Sequence, residues 1–569
     1  SPKKPRLTSE SGTDGTVTTP FHSLHRAISP PLPRSDSQPS KSPAQTPTGD
    51  TTYGPGSEVE HEVQYINSPT QLTYIRDLPA GNNVDTVRLR DILGDPMIRE
   101  CWQFNYLFDV VFLMSQFDED VRDSVQVKVV HGSWRKEDSN RVRIEEACSR
   151  YPNVEPVVAY MPEAFGTHHS KMMILLRHDD LAQIIIHTAN MIFMDWTNMT
   201  QAVWRSPLLP LQKGLPSGSS QPDTKFGSGA RFKRDILAYL KAYGPKKTGP
   251  LVQQLNTYNF DAIRAALIAS VPSKKHISDS SSEEDTLWGW PALKDTMRQI
   301  PIQQKKTNSK NPHIVIQISS VATLGQTNKW LKEIFFKALA PTSPPQGPQQ
   351  PTYSIIFPTP DEIRRSIAGY DSGGSIHMKT QSPAQQKQLQ YMRPHLCQWA
   401  GDSLSQGSCI DLSEDDIDTP RKRREAGRAR AAPHIKTYVR FADEDMKTID
   451  WAMVSSANLS TQAWGAAPNA SGEVRICSWE IGVVFWPELF RDTAGESASG
   501  LGKGDSTALM VPCFKEDCPS LPDGAETDLV VGFRMPYDLP LTPYGAGDEP
   551  WCATASHRLP DWRGQSYIV

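Results

Sequence analysis

Between residue 66 and about residue 272, short aliphatic runs alternate with longer amphipathic ones. "VQVKVVHG" (125–132), "MMILL" (172–176) and "AQIIIHTA" (182–189) have the length and β-branched content of strands. "MIRECWQFNYLFDVVFLMSQF" (97–117) and "FKRDILAYLKAYG" (232–244) have the length of helices. A polar stretch at 273–286, "SKKHISDSSSEEDT", reads as a linker or exposed loop. After it the alternation resumes with "HIVIQISSVATLG", "NKWLKEIFFKALA" and "YSIIFPTPDEIRRSI". Strands alternating with helices predict an α/β layer fold with a central sheet. Two segments break the pattern. Residues 1–65 are rich in Ser, Thr, Pro and Gly and predict a disordered tail, because they cannot bury enough surface to offset ordering entropy. Residues 402–430 carry an acidic and then a basic block and predict a mobile charged insertion.

A chain of 569 residues is too long for one core. The pattern divides it into domains at 66–274 and 275–569. The formal net charge of −4 leaves no global field for a polyanion, so any anion-binding surface is local. No apolar run reaches the roughly 18 residues a membrane span needs, so no membrane partner is expected. The first residues lack the apolar core of a secretory signal, while their "PKKPR" fits nuclear import. The eight cysteines are scattered, and the near pair Cys513 and Cys518 has no second pair with zinc-ligand spacing. Reduced thiols in a cytosolic or nuclear compartment are expected.

The chemistry lies in "GTHHSKMM" (166–173). Side chains two apart on a strand share a face, so His169 and Lys171 point one way and His168 the other. One such pair means little, but the pattern recurs. His434 and Lys436 in "PHIKTYVR" again lead a β-rich run. Asn190 follows Lys171 by 19 residues and Trp196 follows the Asn by six; Asn458 follows Lys436 by 22 and Trp464 follows by six. A whole ordered pattern, repeated, marks an internal duplication whose halves can meet across a pseudo-symmetric seam. Two imidazoles, two ammonium groups and two carboxamides acting on one spot suit a phosphodiester. Lysines and asparagines would hold the non-bridging oxygens. One neutral histidine would attack phosphorus, and the other, protonated, would serve the leaving oxygen. Positive charge is carried by side chains, so no divalent metal or other cofactor is expected.

At these residues the chain resembles the phospholipase D superfamily, whose hallmark is His-x-Lys twice in one site. Most members carry Asp five residues after the Lys, where this chain has Leu176 and Phe441. Loss of both aspartates with the asparagines kept is similar to the eukaryotic tyrosyl-DNA phosphodiesterase branch. "FGTHHSKMM", "IHTANMIFMDW", "ISSVATLG", "GYDSGGS", "PHIKTYVR" and "SSANLSTQAWG" all look like segments of that branch. The resemblance implies two pseudo-two-fold-related α/β domains, each a mixed sheet between helices, with the site at their seam. It implies His169 as nucleophile, His434 as general acid and then base, and Lys171, Lys436, Asn190 and Asn458 as phosphoryl ligands. Gln201 and Glu480 would orient the histidines, Phe165 would stack on a base and Ser320 would bond a DNA phosphate. The implied activity is repair of DNA 3′ ends, single-stranded or nicked, by hydrolysis of 3′-phosphotyrosyl bonds to topoisomerase I-derived peptides and of other 3′-blocking adducts. A nuclear monomer is expected. The chain departs from the branch at Ala322, where Gly is common, and Thr461, where Lys is frequent. Another superfamily phospholipase or nuclease, or a catalytically silent DNA-end-binding scaffold, are the alternative readings.

Overall fold

A computed structural model describes residues 63–212, 225–277, 286–302, 311–341, 350–401, 423–493, 507–515 and 518–569. Most of the expected tail (1–62), the centre of the polar stretch (278–285) and most of the charged insertion (402–422) lie outside the described residues.

Twelve strands carry the duplication. In the first half they are β1 (Ile98–Phe104), β2 (Gln126–His131), β3 (Val154–Val158), β4 (Met172–Arg177), β5 (Leu181–His187) and β6 (Ala202–Arg205). In the second they are β7 (His313–Gln317), β8 (Thr352–Ile356), β9 (Leu396–Cys397), β10 (Thr437–Phe441), β11 (Ile449–Ser455) and β12 (Glu480–Phe485). Each half orders them alike in space: β3-β2-β1-β4-β5-β6 and β9-β8-β7-β10-β11-β12. Directions match as well. The first three strands of each path pair in parallel and the rest antiparallel. Identical order and sense over six strands is the structural form of the repeated sequence pattern.

Burial on both faces explains the unbroken apolar runs. In β4, Met172, Ile174 and Leu176 enter one core while Met173 and Leu175 enter the other. Leu176 and Phe441, where the wider superfamily has Asp, are fully buried in the larger core, which leaves an unpaired carboxylate there no solvent. The helix Gly229–Lys241 lies on the inner face and buries Phe232, Ile236, Tyr239 and Leu240 at helical spacing. The helix Ser139–Cys148 covers the outer face through Ile144 and Cys148.

Residues 97–117 do not form the single helix that their length predicts. They form β1 and then a short helix, Val110–Met114, capped by Asp109, whose carboxylate accepts from Phe112 N at 2.9 Å. A strand buried on both faces shows no period of two, so Cys101 on one side and Trp102 and Phe104 on the other read as one apolar block.

The second sheet recruits strands from outside the 275–569 range. Gln64–Ile66 pairs in parallel with Leu529–Arg534, and Ala266–Ser270 pairs antiparallel with β12. Chain at the edge of the expected tail, and chain assigned to the first domain, therefore completes the second sheet. Within the polar stretch, Ser273–His276 pairs with Glu473–Ile476. The end of the charged insertion, 423–430, is packed: Arg424 and Leu539 exchange backbone hydrogen bonds, and buried Arg428 donates to Thr73 O at 2.9 Å. Those arginines read as a solvated basic run only while their carbonyl partners, far off in sequence, are unknown. The described cysteines are all free. Among the described residues no helix is long and apolar enough to cross a membrane.

Candidate active site

The two His-x-Lys segments enter their central strands, β4 and β10, from the seam, and each is zipped to the opposite half. His169 N donates to Trp479 O at 3.0 Å and Trp479 N donates to Thr167 O at 2.9 Å. The mirror arrangement joins Thr200 to the other motif: Thr200 N donates to Ala432 O at 3.0 Å and Ile435 N donates to Thr200 O at 3.0 Å. Trp479 precedes Glu480 and Thr200 precedes Gln201, so this register delivers each polar side chain to the histidine of the other half. Approach is close at Gly166, where a Cβ would lie 1.9 Å from Cys477 O.

His169 Nδ1 lies 3.0 Å from a Glu480 carboxylate oxygen, which also accepts from the Ser456 hydroxyl at 2.5 Å. An ionised Glu480 fixes the imidazole proton on Nδ1 and leaves Nε2 as the lone-pair atom. Burial pushes the Glu480 pKa up, but the hydrogen bonds from His169 and the Ser456 hydroxyl and the charge of Lys171 outweigh it and hold the carboxyl below its usual range. Burial lowers the His169 pKa, and Lys171 adds to this while Glu480 opposes it, so the ring is neutral.

His434 Nδ1 lies 3.0 Å from Asp195 Oδ2. Gln201 Nε2 sits 3.2 Å from the same Nδ1 and 3.1 Å from that Asp195 oxygen. An amide nitrogen and a protonated ring nitrogen cannot bond each other, so both donate to Asp195. Gln201 thus acts on His434 through the aspartate, and its own carbonyl accepts from Thr188 Oγ1 at 2.8 Å. Thr188 and Ser456 each sit two residues before their asparagine, and each bonds the residue facing the opposite histidine. On the far side, Lys436 Nζ lies 3.1 Å from His434 Nε2, which makes that nitrogen an acceptor and the ring neutral. Burial, with Lys436 beside it, pushes the His434 pKa down to about 3. For Asp195, burial works upward, but the hydrogen bonds from His434 and the Asn190 N–H, with Lys436 nearby, prevail and hold it low.

The lysines are fully buried. Burial lowers Lys171 to about 8, partly offset by Glu480 and Asp195. Burial, and then Lys171 itself, take Lys436 well below the usual lysine value. Such a site is short of negative charge, and an anion entering it raises both lysine pKa values and favours their ammonium forms. Because the Lys171 cation exists below its pKa and is lost above it, kcat/KM for an anionic substrate is expected to fall as pH rises through about 8. A pH–rate profile from pH 6 to 10 checks this.

The asparagines are not equivalent. Asn458 Oδ1 accepts from Ser319 N at 3.1 Å and Ser320 N at 2.9 Å, which locks its carboxamide against the loop after β7. Asn190 N donates to Asp195, whereas its buried side-chain oxygen has no partner. Ser320 is thus tied to Asn458 through its backbone and pairs with His377 in a short parallel ladder. Phe165 is 81% exposed, on a loop braced where Arg475 Nε donates to Glu163 at 3.1 Å. Thr461 bonds Thr323 O at 3.2 Å, and Ala322 N donates to Leu459 O. His168 faces away into a buried network with Asn105 O and the Tyr243 hydroxyl, both at 3.0 Å, which anchors the motif from behind.

Seven of the eight expected core residues lie in this one hydrogen-bonded and electrostatic cluster, while Asn458 is held by Ser319 and Ser320, and Phe165 and Ser320 lie outside it. Sequence reasoning missed Asp195. Its signal was a break in the repeat: Asp195 precedes the matched Trp196 where Ala463 precedes Trp464. It also missed Tyr106, whose ring centroid is 5.7 Å from that of His169 and which had no signal. An Asp195→Asn variant keeps the shape but loses the charge that supports a protonated His434. Its kcat is expected to fall by about 10²-fold with little change in KM, measured by steady-state kinetics. Among the described residues no group of three or more His, Cys, Asp or Glu is arranged to hold a metal ion.

The paired His-x-Lys motifs on duplicated mixed sheets define a phospholipase D-like phosphodiesterase. A family model described as tyrosyl-DNA phosphodiesterase matches residues 69–545, and the chain belongs to that family. It is 30% identical to a probable tyrosyl-DNA phosphodiesterase of Schizosaccharomyces pombe over 90% of this chain and 98% of that protein. It is 28% identical to tyrosyl-DNA phosphodiesterase 1 of Drosophila melanogaster over 84% of this chain and 72% of that protein. The crystal structure of the yeast tyrosyl-DNA phosphodiesterase superposes with a TM-score of 0.57 at 19% identity, covering 85% of this chain and 99% of that one, and shares its fold.

Proposed function

We propose that the chain repairs DNA 3′ ends by hydrolysing the 3′-phosphotyrosyl bond to a topoisomerase I-derived peptide, through a phosphohistidine at His169. The observation that carries this reading is the cross-bracing: two imidazoles, each held at Nδ1 by a carboxylate of the other half, beside two buried lysines. In the first step His169 Nε2 attacks phosphorus and the bond from phosphorus to the tyrosyl oxygen breaks. His434, protonated at Nε2 and supported by Asp195, gives its proton to that oxygen. In the second step water attacks phosphorus, His434 takes the water proton, and the P–N bond breaks to leave a DNA 3′-phosphate.

His434 rests neutral, so the substrate completes the acid. The phosphodiester anion draws Lys436 from Nε2 and raises the histidine's proton affinity. Lys171, Lys436 and the amides of Asn190 and Asn458 stabilise the non-bridging oxygens as charge builds on them. Phe165 and Ser320 contact the DNA. The chain carries both motifs and acts as a monomer, and a DNA substrate together with "PKKPR" supports a nuclear location.

The lysines do the work a divalent cation would do, so cleavage of a 3′-phosphotyrosyl oligonucleotide is expected to proceed at an unchanged rate in EDTA. Loss of cleavage on chelation, restored by a divalent metal, would contradict this mechanism. An absence of cleavage under all conditions would contradict the substrate.

A further inference from the structure

Two solvent-facing aromatic rings are tied to the segment before His434 and to the short helix Phe193–Thr197 that carries Asp195, and neither is loose. Trp562 is 62% exposed, yet its indole N–H donates to Ser366 O at 3.0 Å and Ile367 O at 3.1 Å. The Arg563 guanidinium sits 5.0 Å from the ring centroid and is itself held by Asp371 at 2.7 Å. Asp561 pins this turn by accepting from Arg563 N at 2.9 Å and Gln565 N at 3.0 Å. Phe193 is 49% exposed, with Arg76 at 5.7 Å over its face and Phe112 edge-on at 5.9 Å. Arg76 donates to Asp77 at 2.9 Å, and the Arg563 charge also acts on Asp77.

Both rings connect to the acid side of the site. Phe193 stands two residues before Asp195. Ile367, which receives the Trp562 N–H, donates its own N–H to Arg430 O at 2.8 Å, four residues before His434. We propose that this rim, Phe193 with Arg76 and Trp562 with Arg563, holds the peptide attached to the departing tyrosine and makes peptidyl leaving groups preferred over tyrosine alone. The inference rests on the reading of His434 as the acid that protonates the tyrosyl oxygen, because whatever lies beyond that oxygen lies on this side.

Charge decides between peptide and DNA as the occupant. Each arginine is matched by a carboxylate, and Asp77 and Asp371 are 42% and 56% exposed. A phosphate backbone meets no net positive charge here and two anions, whereas rigid rings capped by guanidinium groups suit apolar side chains and backbone carbonyls. Neither expected DNA contact, Phe165 nor Ser320, belongs to the rim.

The test compares, in wild type and in Trp562→Ala and Phe193→Ser variants, kcat/KM for an oligonucleotide ending in 3′-phosphotyrosine and for the same oligonucleotide joined to a short tyrosyl peptide with apolar flanks. The readout is the ratio of the two values, which is internal to each preparation, so a misfolded fraction cancels. The peptide-to-tyrosine ratio is expected to fall about 10-fold in each variant, the effect of losing one aromatic stack. An unchanged ratio would overturn the proposal, as would a loss appearing only when either substrate is placed at a nick in duplex DNA, which would make the rim a DNA contact. If wild type cleaves neither substrate, the reading of the site fails first and the rim with it.

Discussion

A His169→Ala variant is expected to release no measurable tyrosine from a 3′-phosphotyrosyl oligonucleotide, a loss of at least about 10⁴-fold, and to form no covalent adduct with DNA. The size follows from the geometry. Glu480 and Ser456 fix the one ring nitrogen that can carry a proton, and burial keeps the other unprotonated. No other side chain in the cluster offers a neutral lone pair in that position: Lys171 is a cation at neutral pH, and His434 Nε2 is engaged by Lys436. Water would have to attack phosphorus directly, without the histidine's covalent step. A thermal melt separates this loss from unfolding, because Ala leaves the buried Glu480 without its ring partner.

A His434→Ala variant is expected to behave differently: turnover falls by about 10²–10⁴-fold, and enzyme accumulates joined to DNA. The two steps ask different things of this residue. A tyrosyl oxygen has a pKa near 10 and can depart with partial help from the lysines, so the first step survives slowly. Hydrolysis needs a proton removed from water, whose pKa is 15.7, so the second step suffers more. A denaturing gel of labelled oligonucleotide checks this as a shifted band that persists, where wild type shows none at steady state.

The contrast between these variants bears on what was legible in the chain. The repeat of His-x-Lys, followed in order by Asn and by Trp six residues further on, marks both candidate catalytic segments in the sequence, because duplication copies order and local spacing. The repeat does not copy Asp195, and its mismatch with Ala463 is the one trace of it: the aspartate faces His434 from a short helix, whereas Glu480 faces His169 from a strand. The paired hydroxyls Thr188 and Ser456 were visible as "HTAN" and "SSAN", but their bonds to Gln201 and Glu480 depend on strand pairing that no local pattern encodes. The sequence does not say which histidine Gln201 serves; it lies beside His434, and its contact runs through Asp195.

The same limits apply to the fold. Alternating apolar and amphipathic runs predicted layered α/β halves, and the strands after each His-x-Lys lie where "MMILL" and "TYVRF" place them. The run 97–117 reads as one helix because burial on both faces of the strand Ile98–Phe104 removes the alternation that distinguishes strand from helix. The strands Gln64–Ile66 and Ala266–Ser270 join a sheet built mostly from residues beyond 313, and long-range pairing of that kind leaves no trace in local composition. Arg428 is the plainest case. It looks like part of a solvated basic block, and it is buried because Thr73 O, 355 residues away, accepts its proton.

Digesting the adduct trapped in His434→Ala and locating the oligonucleotide-bearing residue by mass spectrometry decides whether His169 is the nucleophile. A phosphoramidate on the peptide containing His169 is expected. An adduct on any other residue, or steady turnover by this variant with no adduct at all, would contradict it.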